Sequence, residues 1–326
     1  MPRTLVRINE GGIVRQPQYL ALAALLLAAG VALITGPACN DDGGAPPATS
    51  IVFYSNRDGD DDVYSMNLDG TGLHQLTDDP GRDYEGDISP DGTTIVFASQ
   101  RAAGQNSQLF LMNADGSDVR RLTFSADNAS GTVVDDYAHW SYDGKSIVFQ
   151  RSSDTTGKMD ADVWIIDPAT GEERQITSLP DNWDSTPAFS HDNKGVVFER
   201  SSGPGFSIYR VDLATGEATR LTGDEAGRAV GGKESPDGKK LLYTSSIDGD
   251  VDIYVQDISG ENVTKLTDND TTDTYPHWSP DGKRILFQSD RDGNHEIYVM
   301  NADGTAQQRV TTDPGKDSDP HWSRAH

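Results

Sequence analysis

The chain has 326 residues, with 52 Asp and Glu against 27 Lys and Arg, a net charge of −25. Such a field repels polyanions, so nucleic acid and anionic membrane surfaces are poor partners, whereas cations and basic protein patches are good ones. A single cysteine excludes an internal disulfide, so stability has to come from a core, and the length is ample for one large β domain.

The first 19 residues hold Arg3, Arg7 and Arg15 beside one acid, Glu10, and residues 20–36, LALAALLLAAGVALITG, carry no charge. A basic segment, an apolar run and small residues before a cut site predict a secretory signal, and the run is at the short limit for a membrane span. Cys39 follows it directly. This arrangement resembles the lipobox of bacterial lipoproteins, which implies that 1–38 is removed and that Cys39 is lipidated. Gly36 stands where that pattern prefers Leu, and Gly36 and Ala38 also suit ordinary signal cleavage. The stretch after the cysteine, NDDGGAPPATS, reads as a flexible tether, taken as 39–47.

From residue 48 the chain repeats itself. An apolar strand recurs at Ile51-Val52-Phe53, Ile95-Val96-Phe97, Ile147-Val148-Phe149, Val196-Val197-Phe198, Leu241-Leu242-Tyr243 and Ile285-Leu286-Phe287, at steps of 44 to 52 residues. A second strand recurs at Val63-Tyr64, Leu109-Phe110, Val163-Trp164, Ile208-Tyr209, Ile253-Tyr254 and Ile297-Tyr298. Each unit closes on a pair such as Leu76-Thr77 or Leu122-Thr123. Ser-Pro-Asp-Gly and the sequences NLDG, NADG and ATGE are turn signals, because Pro presets φ, Asp suits the next position and Gly accepts positive φ. Short strands between such turns, with no helical period over 48–323, mean all-β, and a period near 45 with four strands per unit means a propeller blade.

The first unit lacks an innermost strand, since only GAPPATS precedes Ile51, while DPHWS at 319–323 begins a unit with nothing after it. The C-terminal strand is therefore predicted to complete the first blade and to close a six-bladed β-propeller of four antiparallel strands per blade. Closure also removes the sheet edges an open array would expose.

The words SPDGK, DRDGNHEIYVMNADG and LT…D…PHWSPDG resemble the TolB-type β-propeller repeat over residues 48–323. That family's founding member carries an α/β domain before its propeller. Only eleven residues separate Cys39 from Ile51 here, so such a domain is expected to be missing and the chain to be a propeller lipoprotein of the cell envelope, periplasmic or surface-facing. The resemblance also implies a protein partner bound at the channel mouth. The loops leading into the innermost strands are the expected binding face: 78–87, 124–138, 178–187, 223–233, 268–276 and 312–319. They vary in length while the strands do not.

Candidate site residues follow from the same register. An Asp stands five positions before the innermost aromatic in five units, Asp83, Asp135, Asp184, Asp273 and Asp317, with Ala229 in the fifth blade. Two readings stand: a ring at the channel mouth that binds a cation or a basic side chain, or five carboxylates that each fix their own loop. His139, His277 and His321 precede Trp140, Trp278 and Trp322; alternation sends the histidines the other way from the tryptophans, toward the channel or a neighbouring blade. They read either as metal ligands or as hydrogen-bonding residues. NRDGDDD at 56–62 fails the EF-hand pattern, since Val63 sits where Gly is required, and reads as a solvated hairpin loop.

No G-x-S-x-G elbow is present. The reading is a non-catalytic, envelope-tethered, monomeric platform for an envelope protein. No cofactor is expected beyond a divalent cation in the central channel. The alternatives are a carbohydrate- or cation-binding propeller, or a polysaccharide lyase or glycoside hydrolase built on the same fold.

Overall fold

The computed structural model describes residues 50–323 except 103–105, 126–130, 155–158, 180–181, 203–204 and 224–225. The predicted leader, Cys39 and the tether lie outside the described residues. The described chain forms strands β1 to β24 in six four-stranded antiparallel sheets, the six predicted blades.

Blade 1 consists of β1 (Ser50–Ser55), β2 (Asp62–Asn67) and β3 (His74–Gln75), with β24 (Asp317–Trp322) as its innermost strand. The pairing Ile51↔Trp322, Val52↔His321, Tyr54↔Ser318 and Ser55↔Asp317 closes the ring as expected. The other innermost strands are β4 (Asp83–Ile88), β8 (Thr132–Trp140), β12 (Asp184–Phe189), β16 (Ala229–Glu234) and β20 (Asp273–Trp278).

The six hydrophobic clusters sit between blades. The second strand of each blade has a neighbour on both faces, so it reads as an unbroken apolar run: Ile51, Val52 and Phe53 are all fully buried, pointing alternately to blades 6 and 2. Trp140 packs between blades 2 and 3 and Trp322 between blades 6 and 1, as their position in the repeat predicts.

The outermost strands are only two or three residues long, shorter than the sequence implies. The Thr of the recurring Leu-Thr pair explains where they stop. Its Oγ1 accepts the backbone N–H that opens the ladder of the third strand: Val63 to Thr77 at 2.9 Å, Leu109 to Thr123 at 3.0 Å, Val163 to Thr177 at 3.0 Å, and likewise in the other three blades. A hydroxyl ends the sheet where a fourth full strand would otherwise be needed to satisfy that donor. At the opposite ends of the blades the Ser-Pro-Asp-Gly turns are locked by their own side chains. Ser279 Oγ donates to Asp281 at 2.7 Å and accepts from Arg284 N at 2.9 Å, with Gly282 at φ 68°. Asn193 takes the Gly position in blade 4 at φ 57°, the residue type after Gly that best tolerates it.

Every innermost strand contains a bulge. The register against the second strand shifts between Tyr84 and Asp87, and at the equivalent place in each of the other five blades. The residue at the bulge has positive φ in all six: Glu85 (55°), Tyr137 (51°), Thr186 (45°), Gly231 (67°), Tyr275 (51°) and Asp319 (49°). Five of these are not glycine, so each carries a backbone cost of roughly 1–3 kcal/mol that the surrounding sheet has to hold in place. A bulge re-aims a side chain that strict alternation would send elsewhere, and here six blades aim six residues toward the propeller axis.

The central channel as candidate functional site

The five aspartates, for which a ring at the mouth and a loop-fixing role were both open, are each exposed by 1% or less. Each is ion-paired to an arginine of its own blade: Asp83 to Arg101, Asp135 to Arg151 (2.6 Å), Asp184 to Arg200 (2.7 Å), Asp273 to Arg291 (3.0 Å) and Asp317 to Arg57 (2.7 Å). The guanidinium also lies over an aromatic pair, as Arg291 does over Phe287 (5.4 Å) and Tyr298 (4.7 Å). Blade 5 lacks the Asp and also lacks the Arg. Ala229 stands opposite Ser245, and two residues beyond Ser245, where Arg57, Arg101 and Arg291 follow Ser55, Ser99 and Ser289, there is Ile247. The carboxylates are therefore committed inside the blades rather than presented at the mouth.

The residues that do face the channel stand two and four positions further along each innermost strand. The bulge residues and their neighbours line a cavity of about 220 Å³ that is walled by residues of all six blades, including Glu85, Tyr137, Thr186, Gly231, Tyr275 and Asp319. It runs from Arg228, Val230 and Thr274, where the strands begin, to His139, Lys233 and His277 deeper in. The backbone N–H groups that the bulges take out of the ladder are recovered by side chains of the preceding blade: Tyr137 N donates to Glu85 Oε2 at 2.7 Å, Gly231 N to Glu199 Oε2 at 3.2 Å, and Asp319 N to Gln288 Oε1 at 3.3 Å.

Burial pushes the Glu85 carboxyl well above the usual carboxylate range, and the nearby Asp136 and Asp319 add to it. Burial likewise raises Glu199, and raises Asp136 to about 7 with help from Asp135. Burial alone would also raise Asp319, but His321 holds it below its ordinary value. In the cavity wall Glu85 and Glu199 thus ionise readily only when positive charge comes near, which suits a cationic guest.

The next layer holds Asp87, His139, Lys233, His277 and His321. The three predicted histidines do converge, with ring centroids 4.0 Å apart for His277 and His321, 5.0 Å for His139 and His321, and 5.6 Å for His139 and His277. Asp87 lies 3.3 Å from His321 Nδ1 and 3.6 Å from His139 Nδ1, and Lys233 Nζ lies 2.7 Å from His139 Nε2. Burial, then Lys233, pulls His139 down to about 3, and burial also pulls His277 well down. Burial would lower His321 too, but Asp319 and Asp87 outweigh it and bring it up to about 9.

The acidic hairpin at 56–62 differs from its prediction in one residue. Asp62 opens β2, fully buried, with Thr77 Oγ1 donating to it at 2.8 Å, so only the front of the stretch is solvated loop. In the matching hairpin of blade 5, Lys265 fills the space among the acids, 2.8 Å from Asp252.

Asp87, Glu85, Asp319, Tyr137 and Tyr275 carry the channel chemistry and escape a reading based on alternation alone. One signal does point to them. The residue after each bulge is Gly86, Ala138, Pro187, Gly232, Pro276 or Pro320. A Pro inside a paired strand marks a bulge, because it has no N–H to give, and a Cβ on Gly232 would come within 2.7 Å of Ile208.

The family description that matches the chain is the TolB beta propeller domain, over residues 43–203 and 225–326. A protein TolB homolog of Chlorobium luteolum is 31% identical over 169 residues, 52% of this chain and 35% of that protein, so the match spans about a third of its length. A Tol-Pal system protein TolB of Francisella tularensis is 33% identical over 91 residues, 27% of this chain and 21% of that protein. The crystal structure of TolB from Acinetobacter baumannii superposes with a TM-score of 0.69 at 22% identity, covering 86% of this chain and 68% of that one.

Proposed function

The chain belongs to the TolB β-propeller domain family, and from that premise we propose that it is a non-catalytic platform that binds a protein partner of the cell envelope at the mouth of its central channel. The observation that carries this is what one face brings together. The channel opens there with Glu85, Glu199 and Asp319 in its wall, and four large apolar side chains are exposed on the same side: Phe124 (57%), Met159 (40%), Leu179 (48%) and Ile247 (49%). All four come from blades 3 to 5 or the loops leading into them. Exposed apolar groups beside an acidic opening suit a partner that lays an apolar surface on the rim and inserts a basic side chain into the channel. The presence of a Tol-Pal system protein among the relatives supports an envelope partner for this chain as well.

The test is a photo-crosslinking residue placed at Leu179, and separately at Val263, which is equally exposed on the far face of the blades. Irradiation in native envelopes should give a discrete adduct from position 179 and none from 263. An adduct from 263 alone, or from neither, would remove the mouth as the binding face.

Membrane attachment through Cys39 completes the proposal. One or two acyl chains, at about 0.8 kcal/mol per buried CH₂, would hold an acidic domain at a surface that otherwise repels it. Cys39→Ser should abolish incorporation of a fatty-acid probe; equal labelling of both proteins would show that no lipid is attached there.

A further inference from the structure

We propose that His139, His277 and His321 form a binding site for one divalent first-row transition metal at the inner end of the channel cavity. The three come from blades 3, 6 and 1, more than 40 residues apart in sequence at the nearest pair, yet one ligand atom from each lies within 4.8 Å of the others. Three nitrogens at the usual 2.0–2.1 Å from a tetrahedral metal stand roughly 3.4 Å apart, so closure needs shifts of about an ångström that side-chain torsions can supply. Imidazole donors select for zinc, copper, nickel and cobalt over calcium and magnesium.

Two further observations point to a ligand rather than to a finished hydrogen-bond network. His321 is 1% exposed, and among the described residues its Nε2 makes no hydrogen bond and has only the looser ion pair with the Asp319 carboxylate, at 3.4 Å. Asp87 takes the other side of the same ring at 3.3 Å and reaches His139 at 3.6 Å, the position of an outer carboxylate that orients metal-bound imidazoles. Lys233 competes for the space: its ammonium donates to His139 Nε2 at 2.7 Å and must withdraw when a metal arrives. This inference does not depend on the partner proposed above, since it concerns the deeper layer of the channel and is tested on the isolated protein.

The experiment uses the full chain freed of metal by chelator, titrated with Zn²⁺ by calorimetry and with Co²⁺ by visible absorption, both with Ca²⁺ and Mg²⁺ in large excess to occupy surface carboxylates. One equivalent should bind, and Co²⁺ should give the intense absorption of a four-coordinate site. Asp87→Asn should weaken binding about 10–100-fold, and His277→Gln should weaken it further than that. Lys233→Met, which removes the competing charge, should tighten it. Each variant is checked by its own melting curve in chelator, so that loss of fold is separated from loss of a ligand. Binding that excess Ca²⁺ abolishes, or a Zn²⁺ affinity unchanged in folded His277→Gln, would overturn the proposal. So would a Lys233→Met protein that binds no metal, which would leave the histidines as partners of the lysine alone.

Discussion

Trp322→Ala should lower the stability of the propeller by about 3–5 kcal/mol, a large share of the roughly 5–15 kcal/mol by which most domains are stable. Trp322 is 5% exposed and touches both sides of the seam, among Ile51 and Phe53 of blade 1 and Leu286 and Val299 of blade 6. Its Nε1 donates to His277 O at 3.1 Å, and Arg284 lies 5.0 Å above the ring. Removing the ring therefore opens a cavity between two sheets and strands an acceptor at once. Deleting 317–326 should cost more, because among the described residues β24 is the one strand that pairs with β1 on its channel side. The bared edge of β1 would then be free to pair with another chain. Thermal melting and size-exclusion chromatography check both variants. A truncated chain that melts with the intact protein and elutes at the same volume would refute closure by this strand.

Asp273→Ala should cost about 3 kcal/mol, because it leaves the Arg291 guanidinium without the carboxylate it was buried against. Arg291 keeps about a fifth of its side chain in water, which places the loss at the lower end of what broken buried pairs usually cost. The double variant Asp273→Ala with Arg291→Ile reproduces the pair that blade 5 carries naturally at Ala229 and Ile247. It should recover more than half of the loss despite giving up the guanidinium over Phe287 and Tyr298. A double-mutant cycle followed by denaturant unfolding measures this directly. Additive losses would mean that the two residues act independently and that the matched replacement in blade 5 is coincidence.

The architecture was legible because each of its parts is repeated. Six apolar triplets, six closing pairs of an aliphatic residue and Thr, and the Ser-Pro-Asp-Gly turns state their geometry through residue type alone, and the unpaired DPHWS states the closure. The site was legible only in part. Alternation correctly turned His139, His277 and His321 away from the tryptophans, and they meet at the axis. It did not reveal Glu85, Tyr137 and Asp319, because a bulge inserts one residue and changes which side chains face inward. Glu, Tyr, Thr and Asp at the other five bulges do not announce positive φ; only Gly231 does. The arginines that hold the five aspartates were visible as a recurring residue with a gap at Ile247, but their pairing runs across the blade to partners 16 to 18 residues away, and 260 away for Arg57 and Asp317. Spacing alone does not show which of the many acids each one meets.

Binding at the channel separates cleanly from stability in a single comparison. Thr186 already holds a positive φ as a branched residue and lines the cavity beside Glu199, so Thr186→Arg can be accommodated by the backbone and fills the opening with a competing positive charge. Val263→Asp changes the opposite face, where the side chain is about half exposed. Capture of the crosslinked envelope partner by equal amounts of each folded variant is the deciding measurement. Thr186→Arg should reduce capture at least tenfold while Val263→Asp leaves it at the unmodified level. Full capture by Thr186→Arg, or loss confined to Val263→Asp, would place the partner somewhere other than the channel mouth.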